Sequence, residues 1–187
     1  MLHIKSSFSL LLLLTIITSF LFTACSAVSF LIDKPKDKSS IWDVITADER
    51  FSMFIQRIEE QNQTSAFKSI SSGTVFAPTN KAFHAENYDE IFKRKITGEQ
   101  ILNHIVPVAV FSNELWSGRL LKTWAFVDQV PQVIKVTETR SGLYVGIGGD
   151  QEQSWVSQAD IEASNGVIHA IDKLIPLPSY IGKYIKN

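Results

Sequence analysis

Read for its alternation of apolar and polar positions, the chain divides into an apolar leader, a charged connector and a long region of mixed period. Ile41, Trp42 and Ile45 fall at helical spacing behind Ser40, whose hydroxyl can accept an amide hydrogen bond as a helix cap. A second helical stretch begins at Asp48, with Phe51, Phe54, Ile55 and Ile58 on one face and Glu59 and Glu60 on the solvated side. At Thr74 the period changes. Thr74, Val75 and Phe76 favour a strand, Pro78 biases Ala77 toward extended backbone, and Thr79 or Asn80 stands where it would cap a helix holding Phe83. Thr97 and Gln100 form a capping-box pattern ahead of Ile101, Leu102, Ile105 and Val106, which predicts a short helix ending before Pro107. Strands are expected over 108–111, 132–137 and 143–147, the last two joined by a turn at Arg140, Ser141 and Gly142. A final strand, 167–171, follows the turn pair Asn165 and Gly166. Helices first and mostly strands afterwards point to the α+β class rather than to an alternating parallel sheet.

Three of these segments carry a family resemblance. TVFAPTNKAF (74–83), ILNHIVP (101–107) and NGVIHAIDKLIP (165–176) occur in the order and spacing of the hallmark segments of fasciclin-type (FAS1) domains, and the likeness extends over 41–178. It implies a FAS1 fold: a wedge-shaped β-sandwich of mostly antiparallel strands with several packed helices. Family members are extracellular, cell-surface or lumenal modules that bind proteins, glycans or matrix, and they share no enzymatic activity. In animal adhesion members the central segment usually carries Tyr-His, linked to integrin recognition. Here Asn103 stands in the tyrosine position, followed by His104, which argues against that particular partner. Asn80 likewise replaces the acidic residue commonest in the first segment. For a binding module of this kind, a recognition surface is expected on the exposed part of a helix over Asn103, His104, Ile105 and Val106 and on neighbouring loops. The resemblance makes Phe76, Pro78, Thr79, Asn80, Phe83, Gly166, His169 and Asp172 the structural motif.

The leader constrains location. Lys5 precedes an apolar run over 8–24 and then the small residues Ala24, Cys25, Ser26 and Ala27, the order of a secretory signal peptide, with cleavage after Ala27 as the preferred reading. Two alternatives stand beside it. The run over 8–31 is long enough to cross a bilayer as an uncleaved anchor, and FTAC (22–25) resembles a bacterial lipoprotein box that would lipidate Cys25. The expected organisation is therefore 1–27 signal peptide or anchor, 28–40 linker, 41–178 FAS1 domain and 179–187 tail. Membrane attachment is expected through the N-terminus alone, because the tail lacks a long apolar segment.

Composition excludes several functions. The net charge is −1, and the residues beyond 38 carry an acidic excess, which leaves no basic surplus to displace counterions from a nucleic acid. The one cysteine, Cys25, lies in the leader, so no disulfide is expected inside the domain. His84, His104 and His169 are widely spaced and lack the convergent pattern of a zinc site, and no cofactor is expected. A Ser-His-Asp set using Asp172 has no nucleophile-elbow motif to select a serine, so catalysis is not expected. GIGGD (146–150) is read as a strand-to-strand turn, since no helix start or Lys follows it. His104 and His169 lie within apolar stretches and read first as satisfied core groups. Trp116 and Trp124, flanking Gly118 and Arg119 in an expected loop, are the candidates for glycan contact. Asn62, Gln63 and Thr64 form an N-glycosylation sequon.

Two functions from different classes are consistent with these features. The first is an exported, non-enzymatic binding or adhesion module with protein or glycan partners at a cell surface, in a matrix or in a lumen. The second is a lumenal structural or folding-support protein of the ER or vacuole, suggested by a single short domain without the repeats that favour multivalent adhesion.

Overall fold

The computed structural model describes residues 39–84, 96–147 and 153–177. The expected leader with Cys25, the connector up to residue 38, Gly148 to Asp150 of the glycine-rich stretch, and the tail lie outside the described residues.

Helix α1 (Ile41–Ala47) opens on the predicted Ser40 cap, reinforced into a capping box by Asp43, and buries Ile41 and Ile45. A 3₁₀ turn (Glu49–Phe51) leads into α2 (Ser52–Glu60), which buries Phe54 and Ile58. Helix α2 ends in a Schellman motif. The Gln63 amide reaches the Ile58 carbonyl at 2.9 Å and the Asn62 amide reaches Glu59 at 3.0 Å, with Asn62 in the left-handed region at φ 57°. The sequon asparagine is thus an exposed helix-terminating residue. A short helix, α3 (Thr64–Lys68), adds Phe67 to the core.

Strand β1 (Gly73–Pro78) is buried at every residue because apolar groups cover both its faces. It pairs antiparallel with β2 (Ile105–Val106) and parallel with β7 (Gly166–Ile171). Strands β3 (Leu120–Val127), β4 (Val130–Thr139), β5 (Gly142–Gly146) and β6 (Gln153–Ala163) complete a seven-stranded sheet of order β2-β1-β7-β6-β5-β4-β3. β1–β7 is its single parallel pair among the described residues. Two cores result. Val75, Ala77, Ile168 and Ala170 face the helices, while Phe76, Ile171, Ile134, Val136 and Val145 meet on the other side. The period-2 alternation of β1 and β7 divides their side chains between the two.

Several local expectations change. The helix over the central segment, α4 (Gly98–Leu102), is capped as expected by the Thr97 hydroxyl, but it stops at Leu102. Ile105 and Val106 then pair with Val75 and Thr74 as β2, since β-branched residues beside an open strand edge gain more as a ladder than as another helical turn. The stretch 108–111 is not a strand. The Thr74 hydroxyl donates to the Val108 carbonyl at 2.7 Å and accepts the Val110 amide at 2.8 Å, replacing ladder bonds with a side-chain bridge. Phe83 sits in a 3₁₀ turn (Asn80–Phe83) that neither Thr79 nor Asn80 caps with its side chain.

Asn80 caps a different helix. Its Oδ1 accepts the Met53 amide at 3.0 Å at the start of α2, and its Nδ2 donates to the Glu49 carbonyl at 3.0 Å. Because α2 has no side-chain cap of its own, Asn80→Ala is expected to lower unfolding free energy by about 1 kcal/mol, as loss of an N-cap does. Urea titration measures it, and an unchanged midpoint would show that water replaces the cap.

Candidate functional site

The expected recognition segment is interior. Asn103, His104, Ile105 and Val106 are all fully or almost fully buried, which corrects the expectation of an exposed helix surface there. The reason is visible in their bonds. Asn103 donates from Nδ2 to the Pro176 carbonyl at 3.1 Å and accepts the Thr123 hydroxyl on Oδ1 at 2.9 Å, tying β3 to the segment after β7. His104 donates from Nδ1 to the Gln100 carbonyl at 2.9 Å, and its Nε2 accepts the Ile175 amide at 3.1 Å. Both ring nitrogens are committed to backbone, and this pattern requires the neutral Nδ1–H tautomer. Burial pushes the His104 pKa down from 6.5 to about 4, against a smaller opposing effect of the backbone carbonyls.

His169 is built the opposite way round. Its Nε2 donates to the Val110 carbonyl at 2.9 Å and its Nδ1 accepts the Asp160 amide at 3.2 Å, with the ring stacked on Phe76 at 5.3 Å between centroids. Burial lowers its pKa too, opposed more weakly by the Val110 carbonyl and by the Asp160 carboxylate. Asp172 binds neither histidine among the described residues. Its Oδ1 accepts the Trp155 amide at 2.7 Å, and its own amide donates to the Trp155 carbonyl at 3.1 Å. The histidines and Asp172 are therefore clamps between elements. Among the described residues no group of three or more His, Cys, Asp or Glu converges as a metal site.

The other motif residues also have structural positions. Phe76 and Phe83 are buried, one in each core. Thr79 and Pro78 lead β1 out toward the 3₁₀ turn, with the Thr79 amide on the Ile171 carbonyl at 3.0 Å. Gly166 opens β7 at φ +146°, beneath the Gly73 carbonyl. The two tryptophans singled out together are separated in role. Trp116 lies in the expected loop, while Trp124 belongs to β3 and packs against the helix-side core.

What the sequence did not single out is an exposed apolar face. Leu120, Phe126, Val130 and Val133 are 41% to 64% exposed, and all belong to the β3–β4 hairpin. The register sets Leu120 opposite Lys135, Lys122 opposite Val133 and Phe126 opposite Pro131, so apolar groups and two lysines share one outward face, with Val130 at the tip. The outer edge of β3 is partly engaged: Glu99 of α4 accepts the Phe126 amide at 2.8 Å. A partner would therefore meet this hairpin on its face rather than extend its ladder. The signal in the sequence was the run of apolar residues in LLKTWAFV, where apolar groups stand at both inward and outward positions and so mask the period of two.

Residues 49–178 match the fasciclin domain family. The chain belongs to that family. The pig (Sus scrofa) transforming growth factor-beta-induced protein ig-h3 is 30% identical over 141 residues, which cover 75% of this chain and 20% of that protein. This fasciclin-domain chain thus spans about a fifth of the length of that relative. An uncharacterised Synechocystis protein, sll1735, is 30% identical over 138 residues, which cover 73% of this chain and 96% of the relative. Among solved structures, a FAS1 domain pair from the insect cell adhesion molecule Fasciclin I superposes with a TM-score of 0.61 at 15% identity, covering 78% of this chain and 53% of the other. The α+β FAS1 fold expected from the three segments is thus the fold of this fasciclin domain. No helix among its described residues is long and apolar enough to cross a membrane.

Proposed function

We propose that this chain is a non-enzymatic adhesion-type binding module, exported through the secretory pathway and released or held by its N-terminus, that docks a protein partner on the outward face of β3 and β4. The carrying observation is the concentration of Leu120, Phe126, Val130 and Val133, all exposed, on one hairpin. Lys122 and Lys135 within that face select a partner whose apolar strip is flanked by carboxylates, and like-charged partners are rejected. The non-enzymatic part is supported by the complete use of both buried imidazoles as backbone clamps. Membership in a family that includes an insect cell adhesion molecule supports the adhesion part.

The test compares the full chain with Leu120→Asp/Val133→Asp, immobilised at equal density and exposed to solubilised surface proteins of its own cells. Both sites point outward, so the unfolding free energy is expected to stay within about 1 kcal/mol of the parent. Saturable capture by the parent, with at least about tenfold weaker capture by the variant, is the expected result. Equal capture by both would remove the docking face from this reading.

A further inference from the structure

A second site lies away from that face, at the end of the β4–β5 hairpin. The 3₁₀ turn Ser112–Glu114 and the loop after it roof a cleft of about 400 Å³, within the range of small-molecule sites. Its apolar side is made by Trp116, Leu143 and Val156, and its polar side by Ser112, Asn113 and Glu138. Trp116 is 60% exposed. The loop that presents it is tied down. The Gly118 amide donates to the Val136 carbonyl at 2.8 Å, and the Arg119 amide donates to the Trp116 carbonyl at 3.1 Å. Gly118 adopts φ +93°, which bends the chain beside the indole ring. Asp160 accepts both the amide and the hydroxyl of Ser112 and fixes the 3₁₀ turn.

Polar capacity is left over. The Asn113 amide group and the Glu138 carboxylate make no hydrogen bond or ion pair among the described residues, although the Glu138 backbone amide is anchored on the Ser117 hydroxyl at 3.3 Å. From this arrangement we infer that the cleft binds a neutral hexopyranose unit of a glycan chain, stacked on Trp116 with its hydroxyls directed to Asn113 and Glu138. A sugar ring has an apolar C–H face and a polar rim, matching a wall of indole and aliphatic groups bordered by one amide and one carboxylate. Anionic sugars do not suit it. No lysine or arginine is among the described lining residues, and Glu138 would repel a uronate. The site shares no residue with the β3–β4 face, so glycan and protein binding are separable.

The experiment titrates the full chain with mannotriose, cellotriose and chitotriose, with trigalacturonate as the anionic control and an N-acetyl-lysine amide as the basic-peptide control. Tryptophan fluorescence and saturation-transfer NMR report binding. At least one neutral trisaccharide is expected to bind saturably, Trp116→Ala to weaken it about tenfold or more, and trigalacturonate to fail. Trp155→Ala, which removes an indole that is 41% exposed outside the cleft, is expected to leave binding unchanged. Glu138→Gln should bind the neutral sugar with altered affinity but lose the discrimination against trigalacturonate. The inference is overturned if no neutral trisaccharide binds, if Trp155→Ala weakens binding as much as Trp116→Ala, or if the lysine amide or the uronate binds better. Leu120→Asp/Val133→Asp, run alongside, should retain the sugar and lose the protein, so failure of either site is read independently.

Discussion

Gly166→Ala is expected to destabilise the domain by about 4 kcal/mol or more and to reduce soluble yield. Gly166 sits at φ +146°, where an L side chain is strained whatever the space. Space is also missing. An added Cβ would lie 1.9 Å from the Gly73 carbonyl oxygen and 3.0 Å from the Gly73 nitrogen, both backbone atoms that cannot swing aside as a side chain would. Gly73 and Gly166 are the first register pair of the parallel β1–β7 ladder, so relief requires these two strands to separate at their origin. The clash would also disturb Asn165, which donates to the Ile70 carbonyl at 2.6 Å and accepts the Ile41 amide at 2.7 Å, joining α1 to the sheet. Gly118→Ala is the internal control. Its φ is also positive, at +93°, but the nearest atom to an added Cβ is 4.0 Å away, so it should cost only the conformational term of about 1–2 kcal/mol. Urea unfolding of the two variants checks the ranking, and a Gly166→Ala protein as stable as Gly118→Ala would refute the close approach.

The second large effect is loss of stability in mild acid. His104 is buried neutral with a folded pKa of about 4, whereas the unfolded chain offers it the ordinary value of 6.5. Between those values the unfolded state binds the proton and the folded state does not, so stability falls as pH drops from about 6.5 to about 4. That gap corresponds to about 3 kcal/mol for His104 alone. His169 acts in the same direction, since burial lowers its pKa as well. The carboxylates act lower down. Hydrogen bonds from Ser40 to Asp43 and from Arg50 to Asp48, and the Arg57 contact with Glu60, hold those groups below their ordinary values, so their contributions are present at neutral pH and fade only at more acidic pH. Loss above pH 5 is therefore assigned to the imidazoles. His104→Leu provides the check. It is expected to lower stability at pH 7 by about 3 kcal/mol, because the Gln100 carbonyl and the Ile175 amide lose their buried partner, and to flatten the pH dependence between 5 and 6.5. An equally steep profile in the variant would mean that other groups carry the acid response.

Much of this fold can be read in residue types. Ser40 and Thr97 cap the helices they were expected to cap, the Arg140–Ser141 turn joins β4 to β5, and Asn165 ends the turn before β7, which Gly166 opens, because each signal acts within a few residues. The misreadings share a different cause. Thr74 bridges to Val108 and Val110, Asn80 reaches back to α2, and Ile105 and Val106 join β1. These choices are decided by partners about 27 to 36 residues away, which no local pattern encodes. Strand β6 escaped notice because register shifts at Gln158 and a left-handed Asp160 interrupt its period-2 signal.

The candidate site was legible only in its chemistry, not in its placement. Both histidines in apolar context read correctly as core groups, yet the segment containing His104 was also expected to face a partner. The structure resolves that tension by turning the whole segment inward, where Asn103 and His104 each bond two separate elements. The exposed hairpin face was hidden for the converse reason. Trp124 was expected in a loop, and apolar residues at both inward and outward positions of β3 leave no period-2 signal to mark an outward face; the exposure of Leu120 and Phe126 beside buried Leu121 and Ala125 reveals it.

The most direct measurement is single-cysteine labelling on a Cys25→Ser background, comparing Val133→Cys with Asn103→Cys, each free and bound to the cell-surface proteins that the parent chain captures. The proposed docking face predicts rapid maleimide reaction at position 133 in the free protein, strong protection there on binding, and no reaction at position 103 in either state while the domain stays folded. Reaction at 103 in the folded protein with protection on binding, and unchanged reaction at 133, would return the recognition surface to the central segment and contradict the account.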